Sequence, residues 1–396
     1  MLHKKKSLDI FCILYFSISL FSFHPTHVSS SSIAIDAMSS YVPPHLRSSS
    51  AVTAGTGSAA LKTNSEKSRH DTSAPSSFLR HYSSSMPDPV FEKWIPSDRV
   101  SRLLLHQVEE VRERLNVDVT VSSESPLAPS PIETFTDMNL NVSIMKDIVA
   151  HGYTIPTPIQ AQAMPIALSG RDLLGCAETG SGKTAAFSIP MIQHCLSQIP
   201  IQRGDGPLAL VLAPTRELAQ QIEKEVKAFS RSLNSFKASI IVGGTNISEQ
   251  KSELREGVQI VVATPGRFID HLQQRNTSLS RISYVVLDEA DRMLDMGFEP
   301  QIRDVMRNLP KKHQTLLFSA TMPVEIETLA QEYLNKPVQV KVGKVSSPTA
   351  NVSQTLVKVP EGGKLDQLLS LIVEQTAQAE KSGYPLPLAI VFVERK

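Results

Sequence analysis

The sequence predicts an α/β fold with a parallel, doubly wound sheet, and two observations support this. Strand-like and helix-like segments alternate from about residue 131 onward. The strand-like segments are continuous apolar runs, as expected when helices cover both faces of a sheet. Ligands of such sheets bind beyond the carboxyl ends of the strands, so polar residues that directly follow a strand are the candidate site residues.

The predicted elements follow one another in a regular order. The strands are expected at 172–175, 208–212, 238–242, 259–263, 284–287 and 315–319. The helices are expected at 185–196, 217–229, 267–273, 299–307 and 324–334. Two further strands at 354–359 and 388–393, with a helix at 365–378 between them, indicate that a second domain begins near residue 346.

The chain ahead of the α/β part divides by composition. Residues 1–37 contain three lysines followed by an apolar run, which resembles a secretory signal; an upstream extension of the reading frame before Met38 is the alternative. Residues 38–90 are rich in Ser, Thr, Ala and Gly and are predicted to be a disordered tail. Residues 91–130 combine an amphipathic helix at 97–115 with a Pro- and Ser-rich linker. The predicted domains are therefore 1–37, 38–90, 91–130, 131–345 and 346–396.

The overall composition excludes few classes of function. The formal net charge is +1, so a site for a polyanion must be a local patch and not a global field. The three cysteines, Cys12, Cys176 and Cys195, have neither the spacing of a metal site nor that of a disulfide framework. This favours a reducing compartment.

A glycine-bearing loop follows the first predicted strand and precedes a helix. It reads Cys176-Ala177-Glu178-Thr179-Gly180-Ser181-Gly182-Lys183-Thr184, with alanine where the general phosphate-loop motif has its first glycine. Gly180 and Gly182 allow backbone N–H groups to point at phosphate oxygens. Lys183 can reach the β- and γ-phosphates, and the Thr184 hydroxyl can bind Mg²⁺.

An acidic cluster, Asp288-Glu289-Ala290-Asp291, directly follows the strand predicted at 284–287. Asp288 is the candidate for holding Mg²⁺, and Glu289 is the candidate for orienting or deprotonating the attacking water. A solvated turn is the alternative. The position of the cluster after a buried strand, downstream of Lys183, favours catalysis.

Together these motifs resemble the DEAD-box family of RNA-dependent ATPases and helicases. Residues 152–160, Gly152-Tyr153-Thr154-Ile155-Pro156-Thr157-Pro158-Ile159-Gln160, are similar to the family's adenine-recognising Q motif, with the expected aromatic residue Phe135 upstream. Gln160 carries both a donor and an acceptor for an adenine edge. Phe135 could stack on the base, and a position in the core is the alternative for this ring.

Four further motifs follow strands in the family's order. Pro214-Thr215-Arg216, Gly243-Gly244 and Thr264-Pro265-Gly266-Arg267 resemble RNA-contacting motifs, since hydroxyls, backbone N–H groups and arginines suit phosphate and ribose oxygens. Ser319-Ala320-Thr321 resembles the motif that couples ATP state to unwinding, with hydroxyls that could bridge toward Asp288 and Asp291. Helix N-capping is the alternative for Ser319 and Thr321.

The resemblance implies a RecA-like P-loop domain at 131–345 and the start of a second RecA-like domain at 346–396. It also implies ATP and Mg²⁺ as cofactors, RNA as a partner held by its backbone, and no membrane association of the mature domain. Glu289, Asp288 and Lys183 are the expected catalytic residues. Because the secretory lumen holds little ATP or RNA, we expect the protein in the cytoplasm, the nucleus or both, and we do not expect residues 1–37 to direct secretion.

The resemblance leaves two functions open. The family's second domain supplies arginine fingers, which contribute roughly 10³–10⁵ in rate, and the segment that carries them is absent from this sequence. The chain is therefore expected to be either an incomplete ATP-dependent RNA helicase, or a catalytically weak ATP- and RNA-binding fragment that lacks the second domain.

Overall fold

The computed structural model describes residues 11–14, 87–343, 354–383 and 388–392. The chain divides into two compact units, one of them Pro75–Thr349 and the other formed by Met1–Ala74 with Ala350–Lys396. Most of the predicted leader at 1–37 and tail at 38–90 lies outside the described residues.

The elements of the structure alternate between strands and helices along most of the chain. In order they are β1 (Phe11–Leu14), α1 (Asp98–Ser101), α2 (Leu105–Arg114), β2 (Val117–Thr120), a 3₁₀ turn (Phe135–Met138), α3 (Val142–Ala150), α4 (Pro158–Leu168), β3 (Leu173–Cys176), α5 (Lys183–Leu196), β4 (Ala209–Leu212), α6 (Arg216–Phe229), β5 (Ala238–Ile241), α7 (Ile247–Glu256), β6 (Ile260–Ala263), α8 (Pro265–Gln273), β7 (Tyr284–Leu287), α9 (Ala290–Asp295), α10 (Glu299–Arg307), β8 (Gln314–Ser319), α11 (Val324–Tyr333), β9 (Val338–Val342), β10 (Gln354–Val357), a second 3₁₀ turn (Glu361–Gly363) and α12 (Lys364–Ser382).

The larger unit is built on an eight-stranded sheet in the order β2-β9-β3-β8-β7-β4-β6-β5. All neighbouring strands are parallel except β2, which runs antiparallel to β9 at one edge. Successive residues of a strand face opposite sides, so Val211 packs into one hydrophobic cluster and Leu210 into another. Residues of α3–α6 fill the first cluster, and residues of α7, α8, α10 and α11 fill the second. The predicted doubly wound α/β fold is confirmed.

The structure departs from the predicted elements in three ways. The helix expected at 97–115 is two helices, because Leu103 turns toward the core and the N–H of Leu104 starts a new helix by donating to Gln107 Oε1 at 2.9 Å. The sheet also gains β2, from the stretch predicted as helix and linker, and β9. Residues 388–392 are not a strand: no described strand pairs with them, and a strand needs such pairing to satisfy its backbone.

The smaller unit contains one strand pair, a 3₁₀ turn and one long helix among its described residues. Strand β1 pairs antiparallel with β10, with Phe11 opposite Val357. The strand predicted at 354–359 and the helix predicted at 365–378 are both present, as β10 and α12. Within the described ranges of the whole chain, no helix is both long enough and apolar enough to cross a membrane.

Candidate functional site

Three neighbouring strands bring the phosphate loop, the acidic cluster and the Ser-Ala-Thr motif to one edge of the sheet. Strand β8 lies between β3 and β7, and Cys176 at the end of β3 is level with Ser319 at the end of β8. Leu287, which precedes the acidic cluster, pairs with Leu317 of β8. The backbone N–H of Ala177 donates to the carbonyl of Ser319 at 3.2 Å, so the phosphate loop and the Ser-Ala-Thr motif are joined directly.

The loop between β3 and α5 is shaped to receive an anion. Gly180 and Gly182 have φ of +81° and +93°, a backbone conformation that side chains with a Cβ rarely adopt. Gly182 caps α5, so the N-terminus of a 14-residue helix points into the loop. The Lys183 ammonium is buried and donates to the carbonyls of Ala177 at 2.6 Å and Glu178 at 3.1 Å. The loop backbone therefore holds the Lys183 cation, and Thr179 of the same loop is exposed to solvent.

Gln160 connects the segment that resembles the Q motif, residues 152–160, to the phosphate loop. Its Nε2 donates to the carbonyl of Gly182 at 3.1 Å, and its Oε1 accepts from the N–H of Thr157 at 3.0 Å. One N–H of the amide and one lone pair of its oxygen are left for a further partner. The hydroxyls of Thr157 and Ser181 are buried and have no hydrogen-bond partner among the described residues. Unpaired buried polar atoms of this kind are what a bound polar ligand would satisfy.

Phe135 lies in the core, where its ring stacks on that of Tyr153 with centroids 6.0 Å apart. Only 4% of the residue is exposed. This geometry supports the core position that the sequence left open as an alternative. Stacking on adenine stays a prediction.

Asp288 is a buried carboxyl at the tip of β7. Burial raises its pKa to about 7, against the opposing effect of the nearby Lys183 ammonium. The backbone N–H of Glu289 donates to Asp288 Oδ1 at 3.0 Å. Glu289 itself has φ of +50° and ψ of +52°, a left-handed conformation that costs a non-glycine residue about 1–3 kcal/mol and that clusters at functional sites.

Asp291 and Thr321 join the acidic cluster to the end of β8. Both the N–H and the hydroxyl of Thr321 donate to Asp291 Oδ2, at 3.0 and 2.7 Å. Burial alone would raise the pKa of Asp291, but hydrogen bonds outweigh it and hold that pKa below its usual value. Ser319 is fully buried; its hydroxyl helps to lower the pKa of Asp291, although within the described part of the chain it meets no partner at hydrogen-bond geometry. The predicted bridge therefore runs from Thr321 to Asp291, and the structure does not link Ser319 to Asp288.

The three predicted RNA motifs occupy the other half of the same edge, after β4, β6 and β5. Pro214 is buried, and Thr215 caps α6 by accepting from the N–H of Leu218 at 3.2 Å. The guanidinium of Arg216 lies against Gly243 and Gly244: a Cβ on Gly244 would come within 2.0 Å of Arg216 Nη1. Two motifs distant in sequence thus form one surface, and this contact needs a glycine.

The Thr-Pro-Gly-Arg motif opens α8, with Thr264 at its N-cap and Pro265 as its first residue. A Cβ on Gly266 would meet nothing within 4 Å, so packing does not explain this glycine. The Nε atom of Arg267 lies 3.6 Å from Asp270 Oδ2. The buried Nη1 atom of Arg267 has no acceptor among the described residues. The backbone and guanidinium here can accept a phosphate.

Sequence reasoning gave no role to two residues that the structure brings into the site. Tyr153 stacks on Phe135, and Asp137 accepts hydrogen bonds within the turn that carries Phe135. The spacing of Thr134 and Asp137 is a local capping pattern that could have indicated the second residue. Nothing local to Tyr153 could have indicated its partner.

A parallel sheet with a phosphate loop after one strand, an acidic tip on a nearby strand and a helix N-terminus at the loop defines a RecA-like P-loop domain. Residues 157–329 match the family model described as DEAD/DEAH box helicase. The part of the chain at 157–329 therefore belongs to this family.

Individual relatives agree with the family match. The chain is 44% identical over 282 residues to "Probable ATP-dependent RNA helicase DDX46" of Danio rerio, covering 70% of this chain and 27% of the relative. It is 41% identical over 321 residues to "ATP-dependent RNA helicase DBP2" of Candida glabrata, covering 80% of this chain and 58% of the relative. The crystal structure of the RNA-helicase Prp28 from Chaetomium thermophilum bound to ADP superposes with a TM-score of 0.56 at 39% identity, over 62% of this chain and 59% of that one. The chain thus spans about a quarter to three fifths of the length of these relatives.

Proposed function

We propose that the protein is an ATP-dependent RNA helicase, that is, an RNA-dependent ATPase that couples ATP binding and hydrolysis to remodelling of RNA duplexes. The observation that carries this is the division of one sheet edge. Its β3, β8 and β7 half holds the candidate ATP site, and its β4, β6 and β5 half holds the candidate RNA surface. The relatives' names favour this function over that of a catalytically weak binding fragment.

The ATP site assigns a separate task to each group. Backbone N–H groups of 177–184 and the Lys183 ammonium would bind the phosphates, because they form a positive cradle at a helix N-terminus. Gln160 would read the adenine edge with its remaining donor and acceptor. Glu289, which is half-buried and directly follows Asp288, would orient or deprotonate the attacking water. An ADP-bound Prp28 neighbour is consistent with this assignment.

Thr184 and Asp288 would hold Mg²⁺ directly or through water, since hydroxyl and carboxylate oxygens are the ligands this ion prefers. The ion would neutralise charge on the phosphates during transfer. Asp288 fits this role because burial raises its pKa to about 7 despite the nearby Lys183 ammonium, so a further cation would stabilise the buried carboxylate.

The RNA surface would hold its ligand by the backbone. Thr215, Arg216, Gly243 and Gly244 present hydroxyl, guanidinium and N–H groups, which suit phosphate and ribose oxygens and carry little sequence information. We therefore propose RNA with little sequence specificity as the partner. Because this function needs ATP and RNA, we place the protein in the cytoplasm, the nucleus or both.

The proposal is tested by phosphate release from ATP with and without single-stranded RNA. The wild-type chain should show RNA-stimulated release, and Glu289→Gln should reduce it by about 10² or more while ATP affinity stays. Glu327→Gln, an exposed change on α11, is the matched control and should leave the rate unchanged. Tight ATP binding without RNA-stimulated release by the wild-type chain would instead support the binding-fragment alternative. Equal rates for wild type and Glu289→Gln would remove Glu289 from catalysis.

A further inference from the structure

The segment at 94–99 is fastened to the turn that carries Phe135. The indole Nε1 of Trp94 donates to the carbonyl of Met138 at 2.9 Å, and the amide of Asn139 donates to the carbonyl of Ile95 at 3.1 Å. The backbone N–H of Ser97 donates to the carbonyl of Asp137 at 2.9 Å. We call residues 94–99 the N-terminal clasp. Its hydrogen bonds reach residues 137–139, at the C-terminal end of the 3₁₀ turn.

The buried carboxylate of Asp137 is the centre of this arrangement. It accepts from the Ser97 hydroxyl at 2.7 Å, from both Nε and Nη2 of Arg99, and from the N–H and hydroxyl of Thr134. Arg99 also pairs with Glu133 at 2.6 Å. Burial by itself would raise the pKa of Asp137, but hydrogen bonds led by that of Arg99 hold it well below its usual value. The carboxylate is therefore charged and saturated with donors, three of which come from two residues of the clasp, Ser97 and Arg99.

The turn passes this restraint to the adenine side of the candidate ATP site. The Phe135 ring stacks on Tyr153, which lies in the loop leading to Gln160. Just before the turn, the N–H of Ile132 donates at 2.9 Å to the carbonyl of Ala161, the residue after Gln160. The segment 132–138 is thus held by the clasp on one side and touches the Gln160 helix and its preceding loop on the other.

We propose that the N-terminal clasp positions the adenine-recognising part of the ATP site, and that Trp94 and Arg99 therefore set the preference for adenine over guanine nucleotides without touching the base. The inference rests on the proposed function, because it takes Gln160 and Phe135 as the adenine contacts. Trp94, Arg99 and Asp137 are positioning residues in this scheme. The clasp lies outside residues 157–329, which match the family model.

The test compares affinities for ATP and for GTP, each with Mg²⁺, by competition against a fluorescent ADP analogue. Arg99→Ala should lower the ratio of ATP to GTP affinity by about fivefold, which corresponds to the net contribution of one neutral hydrogen bond between Gln160 and the base. Arg102→Ala is the matched control, since this arginine lies just beyond the clasp and, within the described part of the chain, pairs only with exposed Asp98; it should leave the ratio unchanged. A ratio is informative here because a variant that is merely less folded loses both affinities equally.

Two further variants keep the result decisive. Trp94→Phe removes the donor to Met138 but retains an aromatic ring, so it should lower the ratio even if Arg99→Ala fails to fold. Gln160→Ala should lower the ratio in any case. If Gln160→Ala lowers it and both clasp variants match wild type, the clasp inference is overturned and the proposed function stands. If wild type itself does not discriminate ATP from GTP, the adenine assignment fails and the inference fails with it.

Trp94 is the chain's single tryptophan and reports on the clasp directly. Coupling between two sites is reciprocal, so a clasp that favours ATP must itself be stabilised when ATP binds. Saturating ATP should therefore reduce acrylamide quenching of Trp94 fluorescence, and saturating GTP should reduce it less. Quenching that is identical with ATP, with GTP and without nucleotide would contradict the coupling.

Discussion

Replacing Gly182 by alanine should disturb both the phosphate loop and the adenine side of the site. Gly182 has φ of +93°, and a Cβ placed on it would lie 2.4 Å from Gln160 Nε2 and 3.1 Å from the Thr157 hydroxyl. The new methyl group must displace the Gln160 amide, which now donates to the carbonyl of Gly182. The substitution therefore combines a strained backbone with the loss of a buried hydrogen bond.

The expected cost follows from these two parts. A left-handed conformation costs a residue with a Cβ about 1–2 kcal/mol. Loss of the buried hydrogen bond adds about 0.5–1.5 kcal/mol. The free energy of unfolding should fall by about 1.5–3.5 kcal/mol in total. Gly180→Ala is the matched control: its φ is +81°, but its Cβ would meet nothing within 4 Å, so only the backbone part applies.

Urea unfolding followed by circular dichroism measures this difference. Gly182→Ala should be less stable than Gly180→Ala by about 0.5–1.5 kcal/mol. In a Gln160→Ala background the extra cost should disappear, because the displaced amide is gone. Equal free energies of unfolding for the two glycine variants would refute the packing argument.

Three further predictions concern other parts of the domain. Burial lowers the pKa of His194 to about 4, so the folded state binds fewer protons than the unfolded state below pH 6.5. The contribution of this group to the free energy of unfolding should be complete above pH 6.5 and should fall by at most about 3 kcal/mol toward pH 4. His194→Gln should flatten this fall in urea titrations at several pH values. Gly244→Ala should expel the Arg216 guanidinium and weaken RNA binding in fluorescence anisotropy; RNA affinity equal to wild type would remove this contact from the RNA surface. Thr321→Val should lower the free energy of unfolding by about 1.5–3 kcal/mol, because it removes a hydroxyl that donates to the Asp291 carboxylate. It should also lower RNA-stimulated ATP turnover more than ATP affinity, and unchanged turnover would argue against coupling through this pair.

The central strands could be predicted from sequence because they are buried on both faces. Strands β4, β6 and β7 are runs of apolar residues with turn signals at their ends, and the structure has them within one residue of the predicted bounds. Strands β2, at the sheet edge, and β9, next to it, were missed because Val117–Thr120 and Val338–Val342 mix apolar with polar residues. Their pairing joins segments more than 200 residues apart, which no local pattern reveals.

The candidate site was predictable to the level of which loops meet. Polar motifs that follow parallel strands must share one edge of the sheet, so the neighbourhood of Lys183, Asp288 and Thr321 followed from their positions. The contacts themselves did not. The bond from Gln160 to Gly182 depends on how α4 packs against α5, and that packing is a property of the folded chain.

The most direct test of the ATP site is the affinity for ATP with Mg²⁺, measured by calorimetry on the wild-type chain and on Lys183→Ala. We expect binding by the wild type and an affinity at least tenfold weaker for the variant, because the only change is the loss of the ammonium from the phosphate loop. Lys311→Ala, an exposed change just before β8 at the opposite edge of the sheet, should bind as the wild type does. Equal affinity of wild type and Lys183→Ala, with both folded by circular dichroism, would contradict the assignment of this loop as the ATP site.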